Sequence, residues 1–117
     1  IHRDSMTTKD GIRYKPTAII NGKRAAQVMI ISGCDDGTLD FPNWAENLKL
    51  AVRLQSGGTQ FPKLMRPLDF IDRRYNEELT KGSLLCEFGT EVNTLDEAVY
   101  SGHLFGQVLS QELSKLA

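Results

Sequence analysis

The sequence has little of what marks several large classes of protein. Its two cysteines, Cys34 and Cys86, lie outside any CxxC motif, so neither a thiolate zinc knuckle nor a redox motif is expected. Two unpaired, half-buried thiols are favoured over a disulfide or a nucleophile. The net charge of −1 gives no reason to expect a nucleic acid or an anionic membrane as partner. No apolar run approaches the ~20 residues that span a bilayer, and no signal peptide is present.

What remains is the composition of an ordinary globular domain. The chain has 117 residues, which corresponds to one domain that can bury about two-thirds of its unfolded surface. Hydrophobic residues make up 40% and charged residues 25%, as in soluble globular proteins. Internal repeats and low-complexity tracts are absent from the sequence. The search for function therefore depends on local patterns.

Several short runs predict β-strands. Residues 17–20 are β-rich and end at an Asn-Gly dipeptide, which is typical of a tight hairpin turn. Residues 26–31 are almost wholly apolar, which predicts a central strand covered on both faces. Two further short strands are predicted at residues 68–71 and 84–88.

Two helices are predicted between and after these strands. The first begins at Asn43, a candidate N-cap with Glu46 three residues later, and ends at two consecutive glycines. The second has the clearer signal, with Thr94 as N-cap and Glu97 as its capping-box partner. Gly102 and Gly106, near the apolar stripe of this helix, predict a close approach to a sheet. The predicted stripe consists of Leu95, Ala98, Gly102, Phe105, Leu109, Leu113 and Leu116.

Strands that alternate with helices predict an α/β layer fold. Within it, Glu87 interrupts an apolar strand, where an unpaired charge would cost several kcal/mol. It is either a catalytic group at the carboxyl end of its strand or a structural partner of Arg3 or Arg74. His2, at the end of a strand stub, is either a metal ligand or an ordinary surface or core histidine. His103 is expected at the boundary between the last helix and solvent.

Five short motifs then occur in a specific order along the chain. They are Ile1-His2-Arg3-Asp4-Ser5, Ile20-Asn21-Gly22-Lys23, Glu46-Asn47-Leu48, Tyr75-Asn76 with Leu79, and Leu84-Leu85-Cys86-Glu87-Phe88-Gly89 with Asn93-Thr94. In this order the chain resembles the stage II sporulation protein P family. These are cell-wall hydrolases of endospore-forming bacteria, in the zinc-dependent N-acetylmuramoyl-L-alanine amidase superfamily. The resemblance covers essentially the whole chain.

The resemblance implies a fold, a cofactor and roles for five residues. The fold would be an amidase-like, mixed and largely parallel β-sheet flanked by helices. Zinc would be held by two histidines and a glutamate, with His2 as the third ligand, while Glu87 would be the general base on the zinc-bound water. Arg3, Tyr75 and Asn76 would orient the metal shell or the substrate. The bond cut would join N-acetylmuramic acid to L-alanine of the stem peptide, and stem-peptide cross-links are a possible second substrate.

The other two zinc ligands precede the His2 motif in the family. We therefore expect residues 1–117 to be the C-terminal part of a single catalytic domain, with weak zinc binding and no amidase activity by themselves. The resemblance also implies an extracytoplasmic location, a membrane anchor outside this chain and engulfment proteins as partners. The alternative is a non-catalytic module that binds peptidoglycan or those proteins. A soluble α/β domain of unrelated function is the third interpretation.

Overall fold

The strands form one four-stranded sheet and a separate hairpin in the computed structural model, which describes residues 1–116. In chain order they are β1 (His2–Asp4), β2 (Thr17–Ile20), β3 (Lys23–Ala26), β4 (Val28–Gly33), β5 (Asp69–Ile71) and β6 (Leu85–Thr90). The helices are α1 (Trp44–Gly57) and α2 (Leu95–Ser114), and single 3₁₀ turns cover Gly58–Gln60 and Glu77–Leu79. No helix within residues 1–116 is long and apolar enough to cross a membrane.

The main sheet is mixed, with the strand order β1-β6-β4-β5. β1 pairs in parallel with β6, β4 pairs in parallel with β5, and β6 and β4 are antiparallel. Parallel neighbours need a long crossover connection, and α1 supplies it between β4 and β5. The prediction of an α/β fold with a mixed, largely parallel sheet is therefore confirmed.

The hairpin of β2 and β3 forms as its turn residues predict. Asn21 and Gly22 both have positive φ, 52° and 76°, as a type I′ turn requires. The prediction of one strand over residues 26–31 is wrong at its start, because the chain leaves the hairpin at Gln27 and β4 begins one residue later. The Gln27 amide donates to Pro16 O at 2.9 Å, and Gly89 N donates to Gln27 O at 2.9 Å. These bonds hold the chain as it passes from the hairpin to the sheet.

α1 begins at the predicted place but without the predicted side-chain cap. Asn43 is the N-cap residue, with φ −95° and ψ 12°, and its side chain makes no capping hydrogen bond. An effective cap needs extended backbone at this position so that the side-chain oxygen reaches the free amides of the first turn. The amides of Glu46 and Asn47 instead donate to the Asn43 carbonyl oxygen. The helix ends at Gly57, as the glycine pair predicts.

The capping box of α2 is confirmed, but the predicted buried face is only partly right. The Glu97 amide donates to Thr94 Oγ1 at 3.1 Å, and the Thr94 amide donates to Glu97 Oε1 at 2.9 Å. Of the predicted stripe, Phe105 is buried in the core and Leu109 packs against it. Leu95 is 71% exposed, however, and a Cβ added to Gly102 would meet nothing within 4 Å, so these two positions do not lie against the sheet. The reason is that α2 packs on the hairpin as well as on β6, which rotates its inner face. That face consists of Glu97, Ser101, Leu104, Phe105, Val108 and Glu112.

Both helices cover the same face of the main sheet. Val28 of β4 is paired with Phe88 of β6, and both belong to the core cluster that contains residues of α1 and α2. The Phe88 and Phe105 rings meet edge to face with centroids 5.7 Å apart. Since side chains alternate along a strand, Glu87 and its cross-strand partner Met29 point to the opposite face, away from the helices. This opposite face, called the Glu87 face below, contains the candidate site.

Candidate active site

The site is built from two side chains that are 85 residues apart in sequence. β1 and β6 are parallel neighbours, and His2 is the register partner of Glu87. Adjacent residues in a ladder point to the same face, so both side chains lie on the Glu87 face. His2 Nδ1 is 3.1 Å from Glu87 Oε2, which is hydrogen-bonding distance. The structure thus brings together the predicted metal ligand and the predicted general base.

The two partners differ sharply in exposure. The Glu87 side chain is 6% exposed, whereas that of His2 is 67% exposed. Neither Arg3 nor Arg74 is the partner of Glu87, so the structural alternative with an arginine is wrong in the described chain. Arg74 Nε lies 4.0 Å from Glu78 Oε1 instead. Glu87 is therefore a buried carboxylate whose partner is an imidazole and not a guanidinium.

The sequence predicts Glu87 at the carboxyl end of its strand, and this prediction is wrong. It is the third of the six residues of β6, and the strand continues through Thr90. His2 is the first residue of β1, which is an edge strand of the described sheet. His2 is accessible because β1 is at the edge and both helices pack on the other face, while Glu87 is buried beside it.

Arg3 has a structural function that the sequence did not indicate. Its Nη2 donates to Thr90 O at 2.8 Å and also to Asn93 O. These carbonyls lie at the last residue of β6 and in the connection to α2, so the guanidinium holds β1 to the end of β6 and to that connection. The proposed contact of Arg3 with metal shell or substrate stays a prediction.

Gly89 controls how β6 leaves the site toward α2. Its φ is +69°, and an added Cβ would lie 2.3 Å from Asn93 Oδ1 and 2.8 Å from Ala26 Cβ. Asn93 Oδ1 accepts from the Thr90 amide at 2.9 Å, while its Nδ2 donates to Glu97 Oε1 at 3.1 Å. A glycine is required here because the chain needs both the left-handed backbone and the space.

Tyr75 and Asn76 form the centre of an exposed turn after β5. Their φ values are 48° and 64°, and Tyr75 is 49% exposed. No hydrogen bond found within residues 1–116 joins either residue to His2 or Glu87. Their role in substrate binding stays a prediction.

A family model for stage II sporulation protein P (SpoIIP) matches residues 1–110. The chain belongs to this family. The matched span includes every candidate site residue, from His2 in β1 to Glu87 in β6. No curated protein and no solved structure gives a significant match. Membership gives the chain a sporulation-related role, and it confirms the resemblance on which the assignment of His2 and Glu87 was based.

The side chains of the candidate site are of types that bind zinc, but they are fewer than a catalytic zinc site needs. Imidazole nitrogen and carboxylate oxygen are ordinary zinc ligands, yet a catalytic site needs three protein ligands. Residues 1–116 contain no group of three or more His, Cys, Asp or Glu side chains that could hold a metal. His103 is exposed on α2 and pairs with Gln107, as its expected place at the solvent boundary predicts.

The two thiols do not add ligands to this set. Cys34 and Cys86 are unpaired and half-buried, as the sequence predicts. Burial raises the pKa of both thiols, and for Cys34 the hydrogen bond and charge of Asp72 add to the rise, so that each pKa is about 11. Both are therefore neutral near pH 7, whereas a metal ligand or nucleophile must be a thiolate.

Glu77 is a buried carboxylate that the sequence patterns missed. It lies in the charged segment between β5 and β6, is 1% exposed, and its Oε1 accepts from Gly33 N at 3.0 Å. Burial raises its pKa to about 7, and the Glu78 charge adds to the rise, while hydrogen bonds from the amides of Gly33 and Leu85 oppose it. Two adjacent glutamates in a loop normally indicate a solvated surface, so no local signal distinguishes the buried one.

The raised pKa of Glu77 predicts a pH-dependent stability. The folded chain holds this proton more tightly than the unfolded chain does. The free energy of unfolding should therefore fall as pH rises from about 4.5 to about 7, with a slope of at most ~1.4 kcal/mol per pH unit from this group. Urea denaturation at successive pH values measures the slope. Glu77→Gln should flatten the slope, whereas Glu78→Gln should keep most of it, because the Glu78 charge is the smallest cause of the rise. A Glu77→Gln curve parallel to that of the wild type would contradict the assignment.

Proposed function

We propose that this chain contributes His2 and Glu87 to a peptidoglycan hydrolase of sporulation. The bond cut is the amide between N-acetylmuramic acid and L-alanine, and stem-peptide cross-links are a further candidate. The proposal rests mainly on the 3.1 Å contact between His2 Nδ1 and Glu87 Oε2. The two residues lie on neighbouring strands of the sheet, in a member of this family. A histidine that can bind a metal ion, next to a carboxylate that can accept a proton from water, is a combination that metal-assisted hydrolysis uses.

The two side chains have separate tasks in this proposal. The neutral imidazole of His2 is a nitrogen donor exposed at the sheet edge, so it can bind a metal ion that approaches from solvent. Zinc, when bound, lowers the pKa of a coordinated water toward neutrality. Glu87 is held by its buried position in β6, and its carboxylate takes a proton from the attacking water. The same carboxyl group then returns that proton to the leaving amine of L-alanine.

The ligand count limits what the chain does by itself. Because His2 is the single candidate ligand, we propose that two further ligands come from another segment of the same catalytic domain. The protein would act outside the cytoplasm, attached to the cell membrane by a part other than these residues, together with engulfment proteins.

Zinc binding by the 117-residue chain should be weak. The imidazole of His2 alone leaves the ion two short of the three protein ligands that a catalytic site needs. Isothermal titration calorimetry should therefore show no one-to-one binding with a sub-micromolar Kd, and His2→Ala should remove any weaker signal. Sub-micromolar binding of one zinc ion would mean that the chain contains a complete site.

Release of stem peptides from purified sacculi distinguishes hydrolysis from simple binding. A hydrolase that carries all three ligands should release peptides that begin with L-alanine, measured as new amino termini by mass spectrometry. Binding to sacculi without release would favour the alternative, a non-catalytic module that binds peptidoglycan or engulfment proteins. Neither binding nor release would contradict both functions.

A further inference from the structure

The exposed Tyr75–Asn76 turn has a strained backbone conformation, and contacts of the Tyr75 side chain do not compensate for the strain. The Glu77 amide donates to Arg74 O at 2.7 Å, which closes a four-residue turn with Tyr75 and Asn76 at its centre. Both central residues have positive φ, which is common for asparagine but unfavourable for a bulky tyrosine. The other turn of this kind, at Asn21 and Gly22, meets the same demand with a glycine. Tyr75 is also half exposed, so burial of its ring does not offset the strain.

Two buried side chains hold this turn in place. Glu77 follows the turn directly, and its Oε1 accepts from Gly33 N at the end of β4, while the Leu85 amide of β6 faces the same carboxylate. The backbone oxygen of Glu77 accepts from Asn47 Nδ2 at 2.8 Å, and Asn47 Oδ1 accepts from Ser83 N at 3.0 Å. Asn47 is fully buried in α1. The turn is thus fixed to two strands and a helix.

The anchor places the turn on the side of the sheet that contains His2 and Glu87. Gly33, Ile31 and Met29 alternate along β4 and point to one face, and Met29 is the register partner of Glu87. A Cβ added to Gly33 would lie 3.0 Å from Glu77 Oε1, so the carboxylate lies over that same face. Its second strand contact, Leu85, is two residues before Glu87 in β6. The turn is therefore fastened to the strand that carries the proposed base.

A purely structural anchor would not need a buried carboxylate. Glu77 Oε2 has no hydrogen-bond partner among residues 1–116, although it is fully buried. Burying an unpaired carboxylate oxygen costs free energy, as does a tyrosine with positive φ. Strained backbone and unpaired buried groups are found mainly at sites where the conformation is needed for ligand binding, at the expense of stability. The Tyr75 hydroxyl and the Asn76 amide are the groups that this geometry presents to solvent.

We infer that Glu77 and Asn47 are positioning residues, which hold the Tyr75–Asn76 turn on the Glu87 face so that it binds the stem peptide of peptidoglycan. The inference rests on the proposed function and deepens it. A phenol hydroxyl and a carboxamide both donate and accept hydrogen bonds, which suits the alternating N–H and C=O groups of a peptide. Hydrolysis requires that this peptide lie in a fixed direction relative to Glu87, and a rigid turn provides that direction.

A double-mutant cycle tests whether Glu77 acts through the turn. Binding to purified sacculi is measured by co-sedimentation for the wild type, Tyr75→Ala, Glu77→Gln and the double variant. Each single variant should weaken binding about tenfold, and the double variant should lose no more than either alone, since both changes remove one contact. Glu78→Gln is the matched control, because, among the residues that the structure describes, the Glu78 side chain makes no hydrogen bond to the strands and its Oε1 lies 4.0 Å from Arg74 Nε. Sacculus binding by this variant should stay within about twofold of the wild type.

The possible outcomes separate this inference from the proposed function. Unchanged binding by Glu77→Gln, or a double variant whose loss is the product of the single losses, would overturn the positioning role alone. A wild type that does not bind sacculi would overturn the proposed function and this inference together. A second measurement needs no ligand: trypsin should cut after Arg73 and Arg74 faster in Glu77→Gln and in Asn47→Asp than in Glu78→Gln. Equal rates in the three variants would also contradict the anchor.

Discussion

Glu87→Gln should lower the rate of stem-peptide release by about 10² to 10⁴-fold in a form of the protein that has all its metal ligands. Glutamine has the same shape, so its carbonyl oxygen can still accept from His2 Nδ1, which now lies 3.1 Å from Glu87 Oε2. A carboxamide cannot take the proton of the attacking water, however. The fold and the His2 contact should survive, while proton transfer is lost. The rate is measured as new L-alanine amino termini released from sacculi.

Glu91→Gln is the matched control for this change. Glu91 follows the same strand but is exposed, and its carboxylate contacts only Ser5 Oγ at 3.4 Å. Its variant should release peptides at the wild-type rate. Metal content, measured by atomic absorption, should be equal in Glu87→Gln and in the wild type. Loss of metal from Glu87→Gln would make Glu87 a ligand, and full activity would exclude it as the base.

Gly89→Ala should lower the free energy of unfolding by about 2–4 kcal/mol. The added Cβ would lie 2.3 Å from Asn93 Oδ1 and 2.8 Å from Ala26 Cβ, and the backbone at this position is left-handed, with φ +69°. Asn93 cannot easily move, because it joins the Thr90 amide to the Glu97 carboxylate. Urea denaturation followed by circular dichroism gives the difference in unfolding free energy.

Gly102→Ala provides the opposite case in the same experiment. Gly102 lies inside α2, and a Cβ there would meet nothing within 4 Å. Alanine is the better helix former, so this variant should gain about 0.5–1 kcal/mol. If Gly89→Ala were as stable as the wild type, the close approach of Asn93 to β6 would be wrong.

The large separation of His2 and Glu87 in the sequence explains why the sequence alone does not reveal that they form one pair. His2 is at the start of β1 and Glu87 in the middle of β6, and neither position marks a site by itself. Their meeting depends on the parallel register of two strands that are separated by almost the whole chain. A one-residue slip of β1 would turn His2 to the other face and remove the pair.

The features that the sequence predicts well are those determined by interactions between residues close together in the chain. The Asn21-Gly22 turn, the capping box of Thr94 and Glu97, and the end of α1 at its glycines depend on residues within a few positions of one another. Short-range hydrogen bonds and glycine backbone preferences act before any tertiary contact, so the sequence alone determines them. The family, and with it the sporulation-related role, also follows from short motifs in a fixed order.

Tertiary structure decided what no local preference specifies. It set the strand order and placed Glu87 next to His2 and not next to an arginine. It also brought the Arg3 guanidinium within hydrogen-bonding distance of the carbonyl oxygens of Thr90 and Asn93. It also rotated the inner face of α2 and buried Glu77 while its neighbour stayed near the surface. Each of these depends on the free energy gained when distant segments pack together, which is larger than the free-energy differences between local backbone conformations. Such packing does not leave a periodic pattern in the sequence.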